Sequence, residues 1–244
     1  MSTFSSCAES PAGPSPVASP ADIAAAVTND YRHQGFCMRD DLLGVERAAA
    51  LRRFAAQLHE DKRMTRGEVA YAKTLSTSAS ERRGDIQCYV ACDEDAALSA
   101  LACVTDTLAK CAEPGRSLVR GRAMMSCFQK GARFRTHYDN PNGNGRALTF
   151  VYYLNDGWDA ARDGGQLRAY LIRGEYEKVC ATVAPLRDRL VCLNTVLRPR
   201  EFHTKSSLSP VSNHDTRRPY GISISWRSGA RVRARAAHAA RITP

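Results

Sequence analysis

The chain has 244 residues, 43% of them hydrophobic, enough to bury a sizeable core in one large domain or two small ones. It contains no run of about eighteen apolar residues, which excludes an ordinary membrane-spanning helix. Its nine cysteines are scattered singly with no CxxC, so they read as reduced, mostly buried thiols of a cytoplasmic or nuclear protein. The formal net charge of +10 is concentrated in the second half, where 21 Lys and Arg stand against 9 Asp and Glu from residue 121 onward. A basic half attracts anions such as nucleic acid, an acidic protein or a small carboxylate. No zinc-finger spacing or aromatic RNA-binding motif is present, so nucleic acid is not the expected partner.

In chain order, MSTFSSCAESPAGPSPVASP lacks the charged and apolar regions of a secretory signal, and residues 1–19 are expected to be disordered. Residues 20–34 follow Ser19 at a cap position, and Ile23, Val27 and Tyr31 fall on one helical face. GFCMRDDLLG reads as a short strand and turn. Residues 44–60 form a second helix with Leu51, Phe54 and Leu58 on one side. Residues 63–86 are polar and irregular, long for a loop, and loops of that length usually carry function. DIQCYVAC reads as a strand. Residues 93–111 begin with an Asp cap and carry the stripe Leu98, Leu101, Val104, Leu108.

From there short β-type runs recur between turn residues: RAMMSCFQ, FRTHYD, ALTFVYYL, GGQLRAYLI, RLVCLN and YGISISW. Helices first and strands after point to an α+β fold, with helices packed on one face of an antiparallel sandwich or barrel. The boundaries follow: a support region over 20–120, a β core over 121–228 and a basic, Ala-rich tail over 229–244.

The stretch HYDNPNGNGRALTFVYYLNDGWD carries the chemistry. His137 and Asp139 are two apart, and side chains two apart on a strand point the same way. With one more histidine they could hold a metal ion. Two histidines and a carboxylate on one face of Fe(II) leave positions open for a chelating cosubstrate and O2. A bare HxD is otherwise a hydrogen-bonded loop pair. The histidines downstream are His203, after the strand RLVCLN and before a Ser-rich loop, His214 in a turn-like NHD, and His238 in the tail; His203 is the best placed. A carboxylate cosubstrate would need a cation, and Arg217 and Arg218 precede YGISISW, whose small polar residues suit a pocket wall. An arginine fork suits a carboxylate because it makes two parallel hydrogen bonds.

These strings, HYDNPNGNGR, YYLNDGWD and GGQLR, together with HQGFCMRDDLLG, RRGD, GRAMMSCF and PLRDRLVCLN, resemble the 2-oxoglutarate- and Fe(II)-dependent prolyl hydroxylases that act on hypoxia-inducible factor, and their protist and bacterial relatives. The resemblance runs from about His33 to about Trp226. It implies a double-stranded β-helix (jelly-roll) core with supporting N-terminal helices. It puts the metal triad on His137, Asp139 and His203. Its cosubstrate pocket falls on Tyr153, Thr149 and Leu167, with Ser223 on the strand YGISISW and a salt-bridging arginine at Arg218 or its neighbour Arg217. Phe128 stands where the family has a tyrosine that touches the cosubstrate, which loses a hydroxyl donor. Pro219 is an extra residue that leaves Arg218 one position out of register, and the stretch from His203 to Arg218 is longer than usual.

The cofactors implied are Fe(II), 2-oxoglutarate and O2, with ascorbate as reductant. The partner implied is a proline-containing peptide or protein, met by a monomer. Three functions compete: a prolyl 4-hydroxylase of an intracellular regulator that senses oxygen; the same chemistry on a ribosomal or translation protein or on another residue; and a catalytically inactive jelly-roll that binds peptides or nucleic acid through its basic half.

Overall fold

The computed structural model describes residues 30–31, 35–67, 83–138, 145–173, 176–195, 203–208, 210 and 220–228. Eleven strands are described: β1 (Phe36–Arg39), β2 (Thr65–Arg66), β3 (Asp85–Val90), β4 (Leu118–Phe128), β5 (Phe134–Tyr138), β6 (Arg146–Tyr153), β7 (Leu167–Arg173), β8 (Tyr176–Val183), β9 (Leu190–Asn194), β10 (His203–Leu208) and β11 (Tyr220–Ser228). The helices are α1 (Val45–Glu60), α2 (Ala96–Ala112) and the single turn α3 (Ala160–Asp163).

The helices start where the chain can satisfy their first N–H groups. Gly44 takes φ 83, a left-handed conformation that suits glycine, and its N–H donates to Asp188 Oδ2 at 2.7 Å just before α1. For α2 the cap is Asp95 rather than Asp93: its carboxylate accepts from the N–H of Ala97 and Leu98, both at 2.9 Å. Leu51 and Leu58 of α1, and Leu98, Leu101 and Leu108 of α2, are buried as their spacing requires.

Every strand-to-strand pairing within the two sheets is antiparallel. The larger sheet has the order β1-β9-β6-β11-β4-β3-β2 and the smaller β5-β10-β7-β8. Because β positions alternate, each strand of the large sheet serves two masters. In β6, Leu148, Phe150 and Tyr152 join the core that α1 and α2 cover. Tyr153, with Phe36, Val191 and Leu193, turns the other way and packs on Leu167, Ala169 and Val183 of the small sheet. The result is the expected double-stranded β-helix with helices on one face.

The segment over 63–86 is less irregular than its composition implies: β2 pairs with β3, so both ends of the segment are sewn into the large sheet, and residues 68–82 lie outside the described residues. The Ser-rich stretch after His203 is a strand, not a loop, because β5 and β7 both bond to it. Strand β8, which the pattern of apolar residues did not announce, carries Glu177 and Lys178 and pairs only with β7, as a charged edge strand does. Of the first helix, residues 30–31 are described; Tyr31 is buried there, and Ile23 and Val27 lie outside. Residues 1–19 and the tail 229–244 also lie outside. Among the described residues no helix is long and apolar enough to cross a membrane.

Candidate active site

The register of β5 puts His137, half-buried, on the same side of the small sheet as Ala169. His137 pairs with Ser206 on β10, which pairs with Ala169 on β7, and Ala169 is buried between the sheets. A bulge between Ser206 and Leu208 puts Phe134 opposite Leu208, so three steps along β5 oppose two steps along β10. Phe134 and His137 therefore share a face although they are three apart. Their rings stack with centroids 3.6 Å apart and 16° between planes.

His137 Nδ1 lies 2.9 Å from the carbonyl oxygen of Arg135. A carbonyl only accepts, so Nδ1 carries the hydrogen, and in the neutral ring the lone pair is on Nε2. That is the arrangement of a metal-binding histidine.

His203 opens β10 opposite Ile172. Since Lys205 pairs with Tyr138, His203 stands at the end of the pair where β5 finishes and Asp139 follows. Asp139 itself, like Arg217, Arg218, Pro219, His214 and His238, lies outside the described residues. Among the described residues no three His, Cys, Asp or Glu side chains form a metal cage.

Of the residues expected to line a cosubstrate pocket, Thr149, Tyr153, Ser223 and Phe128 lie on strands of the large sheet and Leu167 on β7 of the small one. Thr149, Val151 and Tyr153 of β6 stand beside Ser225, Ser223 and Gly221 of β11, and Met124 and Ser126 of β4 continue the rows. Phe128 ends β4 in the same row, half-buried, opposite Asp85 of β3. Leu167 packs with Tyr153 in the core between the sheets. The Tyr153 hydroxyl and the Thr149 Oγ1 are both buried and have no hydrogen-bond partner among the described residues. Burial pushes the Tyr153 phenol above its ordinary range, with the Arg189 charge opposing, so it is a neutral donor at physiological pH. A buried hydroxyl left unpaired is costly and marks a place for a ligand atom. Two such hydroxyls on one interior face fit a carboxylate-bearing cosubstrate.

Some residues of the site were not singled out by sequence reasoning. Thr195, just past β9, adds a third buried hydroxyl without a hydrogen-bond partner among the described residues, and its N–H donates to the Ala147 carbonyl. Arg83 and Asp85 form a buried ion pair at the entry to β3; the spacing of two in RRGD was the available signal, since it puts both on one face.

The comparisons agree with this architecture. A family model described as the 2OG-Fe(II) oxygenase superfamily matches residues 123–218. Prolyl hydroxylase EGLN3 of Rattus norvegicus is 34% identical over 164 residues, covering 64% of this chain and 67% of that protein. Egl nine homolog 1 of the same organism is 32% identical over 166 residues, and the match spans 47% of its length. A prolyl hydroxylase from Trichoplax adhaerens, solved with a hypoxia inducible factor oxygen degradation domain peptide fragment, superposes with TM-score 0.73 at 24% identity, over 86% of this chain and 91% of that one. A Pseudomonas putida prolyl-4-hydroxylase gives 0.65 at 20%, over 84% and 99%. The chain belongs to the 2OG-Fe(II) oxygenase superfamily. Within it, the chain is related to the EGLN prolyl hydroxylases.

Proposed function

We propose that the protein hydroxylates prolyl residues at C4 in an intracellular protein. Fe(II) would be held by His137, Asp139 and His203, and 2-oxoglutarate by Tyr153, Thr149 and Ser223 with Leu167 as an apolar wall. Arg218, or Arg217, would pair with the far carboxylate. When bound, Fe(II), 2-oxoglutarate and O2 supply the oxidising equivalent that turns a C–H bond into C–OH, with 2-oxoglutarate leaving as succinate and CO2.

The chain's own residues bind and orient. The Arg135 carbonyl holds the Nδ1 hydrogen of His137, so Nε2 is the ligating atom. Tyr153 donates its hydroxyl to the cosubstrate, and the core of Leu167, Val191 and Leu193 keeps water away from it. The observation that carries the reading is the pair of buried hydroxyls of Thr149 and Tyr153 on the large sheet, which have no hydrogen-bond partner among the described residues.

Relatives named as prolyl hydroxylases, one of them solved with a hypoxia inducible factor peptide, favour a regulator degraded in response to oxygen as the substrate. The singly scattered cysteines fit cytoplasm or nucleus, ascorbate fits the reductant, and the protein is read as a monomer. The test is an anaerobic titration of apo protein with Fe(II) and then 2-oxoglutarate, followed by admission of O2 in the presence of proline-containing peptides and mass spectrometry of those peptides. A broad visible charge-transfer band with a 16 Da gain on proline (about one oxygen atom) is expected. Independent metal binding with no band would overturn the cosubstrate assignment.

A further inference from the structure

An imidazole that binds a metal must be fixed in two ways: by the tilt of its plane and by its rotation within that plane. For His137 the hydrogen bond from Nδ1 to the Arg135 carbonyl sets the rotation. The plane is set by Phe134, whose ring lies 3.6 Å away and within 16° of parallel.

Phe134 is itself held. The guanidinium carbon of Arg83 lies 4.8 Å from the centre of the Phe134 ring, within the range of a cation over an aromatic face. Arg83 also makes an isolated backbone bridge to Phe134, and the N–H of Gly84 donates to the Arg133 carbonyl at 3.0 Å.

Arg83 has little freedom of its own. Its Nε donates to Asp85 Oδ1 at 2.5 Å and its Nη2 to Asp85 Oδ2 at 2.8 Å, and Asp85 is 0% exposed. Nη2 also reaches Gln87 Oε1 at 2.5 Å. A Cβ on Gly67 would come within 2.7 Å of both Arg83 Nε and Asp85 Oδ1, so the pair sits in a cradle shaped by that glycine. A buried ion pair is poor evidence of net stability, because desolvation offsets the attraction. A role in aiming a neighbour accounts for its place.

We propose that Arg83 is a positioning residue for His137, acting through the Phe134 ring, so that the buried Arg83–Asp85 pair at the entry to β3 sets the plane of the metal-binding imidazole. The inference rests on the reading of His137 as a metal ligand. An imidazole that gives its lone pair to a dication becomes electron-poor and stacks better on a phenyl face, so the contact strengthens on metal binding.

The experiment compares the wild type with Phe134→Leu, Phe134→Tyr and Arg83→Lys, the last keeping a positive charge beside Asp85. Fe(II) affinity is measured anaerobically against a chromophoric chelator, and the charge-transfer band is recorded after adding 2-oxoglutarate. Thermal midpoints report folding. Phe134→Leu, which keeps apolar bulk and loses the ring, should weaken Fe(II) binding about threefold to tenfold and shift the band. Phe134→Tyr should restore both, and Arg83→Lys should fall between, about twofold weaker than wild type.

A folded Phe134→Leu protein with wild-type affinity and band overturns the inference. His137→Ala separates the two levels. If that variant loses Fe(II) while Phe134→Leu keeps it, only the positioning role fails. If His137→Ala binds Fe(II) as the wild type does, the metal reading fails and this inference with it.

Discussion

Tyr152 donates its hydroxyl hydrogen to Asp188 Oδ1 at 2.6 Å, and the same carboxylate accepts the N–H groups of Leu43 at 2.8 Å and Gly44 at 2.7 Å. One buried carboxylate thus ties the end of β6 and the turn before β9 to the start of α1. Burial and the carboxylate together hold the Tyr152 phenol above its ordinary range, so it stays a donor. A hydrogen bond to a charged group is worth about 1.5–3 kcal/mol, and Asp188→Ala removes three acceptor contacts at once. We expect a loss of roughly 3–5 kcal/mol in urea denaturation, with faster amide exchange at the start of α1. A loss below about 1 kcal/mol would mean that the helix is anchored elsewhere.

Tyr153, its neighbour, should behave in the opposite way. Its hydroxyl is buried without a partner among the described residues, so Tyr153→Phe removes a desolvation cost from the protein without cosubstrate. We expect unchanged or slightly higher stability, by up to about 1 kcal/mol, and a KM for 2-oxoglutarate raised about tenfold. A parallel fall in stability would make the tyrosine structural instead.

Acid should weaken one tether between β1 and β9. Arg189 Nε and Nη2 donate to Asp40 at 2.5 and 2.7 Å, and these hydrogen bonds lower the Asp40 pKa. A depressed carboxylate pKa gives stability that is present above the unfolded value of about 3.9 and lost as pH falls through the folded value. The Asp40 side chain is 49% exposed, so solvent screening keeps the contribution to under about 1 kcal/mol. Asp40→Asn should therefore lower the urea midpoint slightly at pH 7, and the difference from wild type should shrink as pH falls below about 3.9 and vanish below the lowered folded value.

The cysteines should label in a fixed order. Cys103 is exposed, whereas Cys37, Cys92, Cys127 and Cys192 are buried. Burial, then the hydrogen bond with Cys37, push the Cys192 thiol up, which lowers the fraction of reactive thiolate. Among the described cysteines, iodoacetamide on the native protein should modify Cys103 before the buried ones and Cys192 only after unfolding, as read by peptide mapping. Early modification of Cys192 would show that β1 opens readily from β9.

Local patterns made much of this legible. The stripes of α1 and α2, the alternation of ALTFVYYL and the short strand FRTHY are each set by residues close together in the chain. Relations between distant segments were not. Nothing near Phe134 shows that Arg83 will lie over its ring, because the contact is made by an isolated bridge between Arg83, just before β3, and Phe134 at the start of β5. The bulge that turns Phe134 and His137 to one side belongs to the pairing with β10, not to FRTHY. Strand β10 itself has the composition of a loop and is a strand because its neighbours on both sides complete it.

The adjacent tyrosines of β6 bear on how the chain can misfold. A slip of β6 by one residue would again send a tyrosine to each side of the large sheet, so this pair offers no penalty against the error. The penalty falls on the Thr149–Phe150 step, where the slip would push a hydroxyl into the helix-covered core and a phenyl ring into the site. Proofreading of the strand thus rests on a single polar–aromatic step. Thr149→Val, mild in the finished fold, should raise the yield of slipped species during refolding.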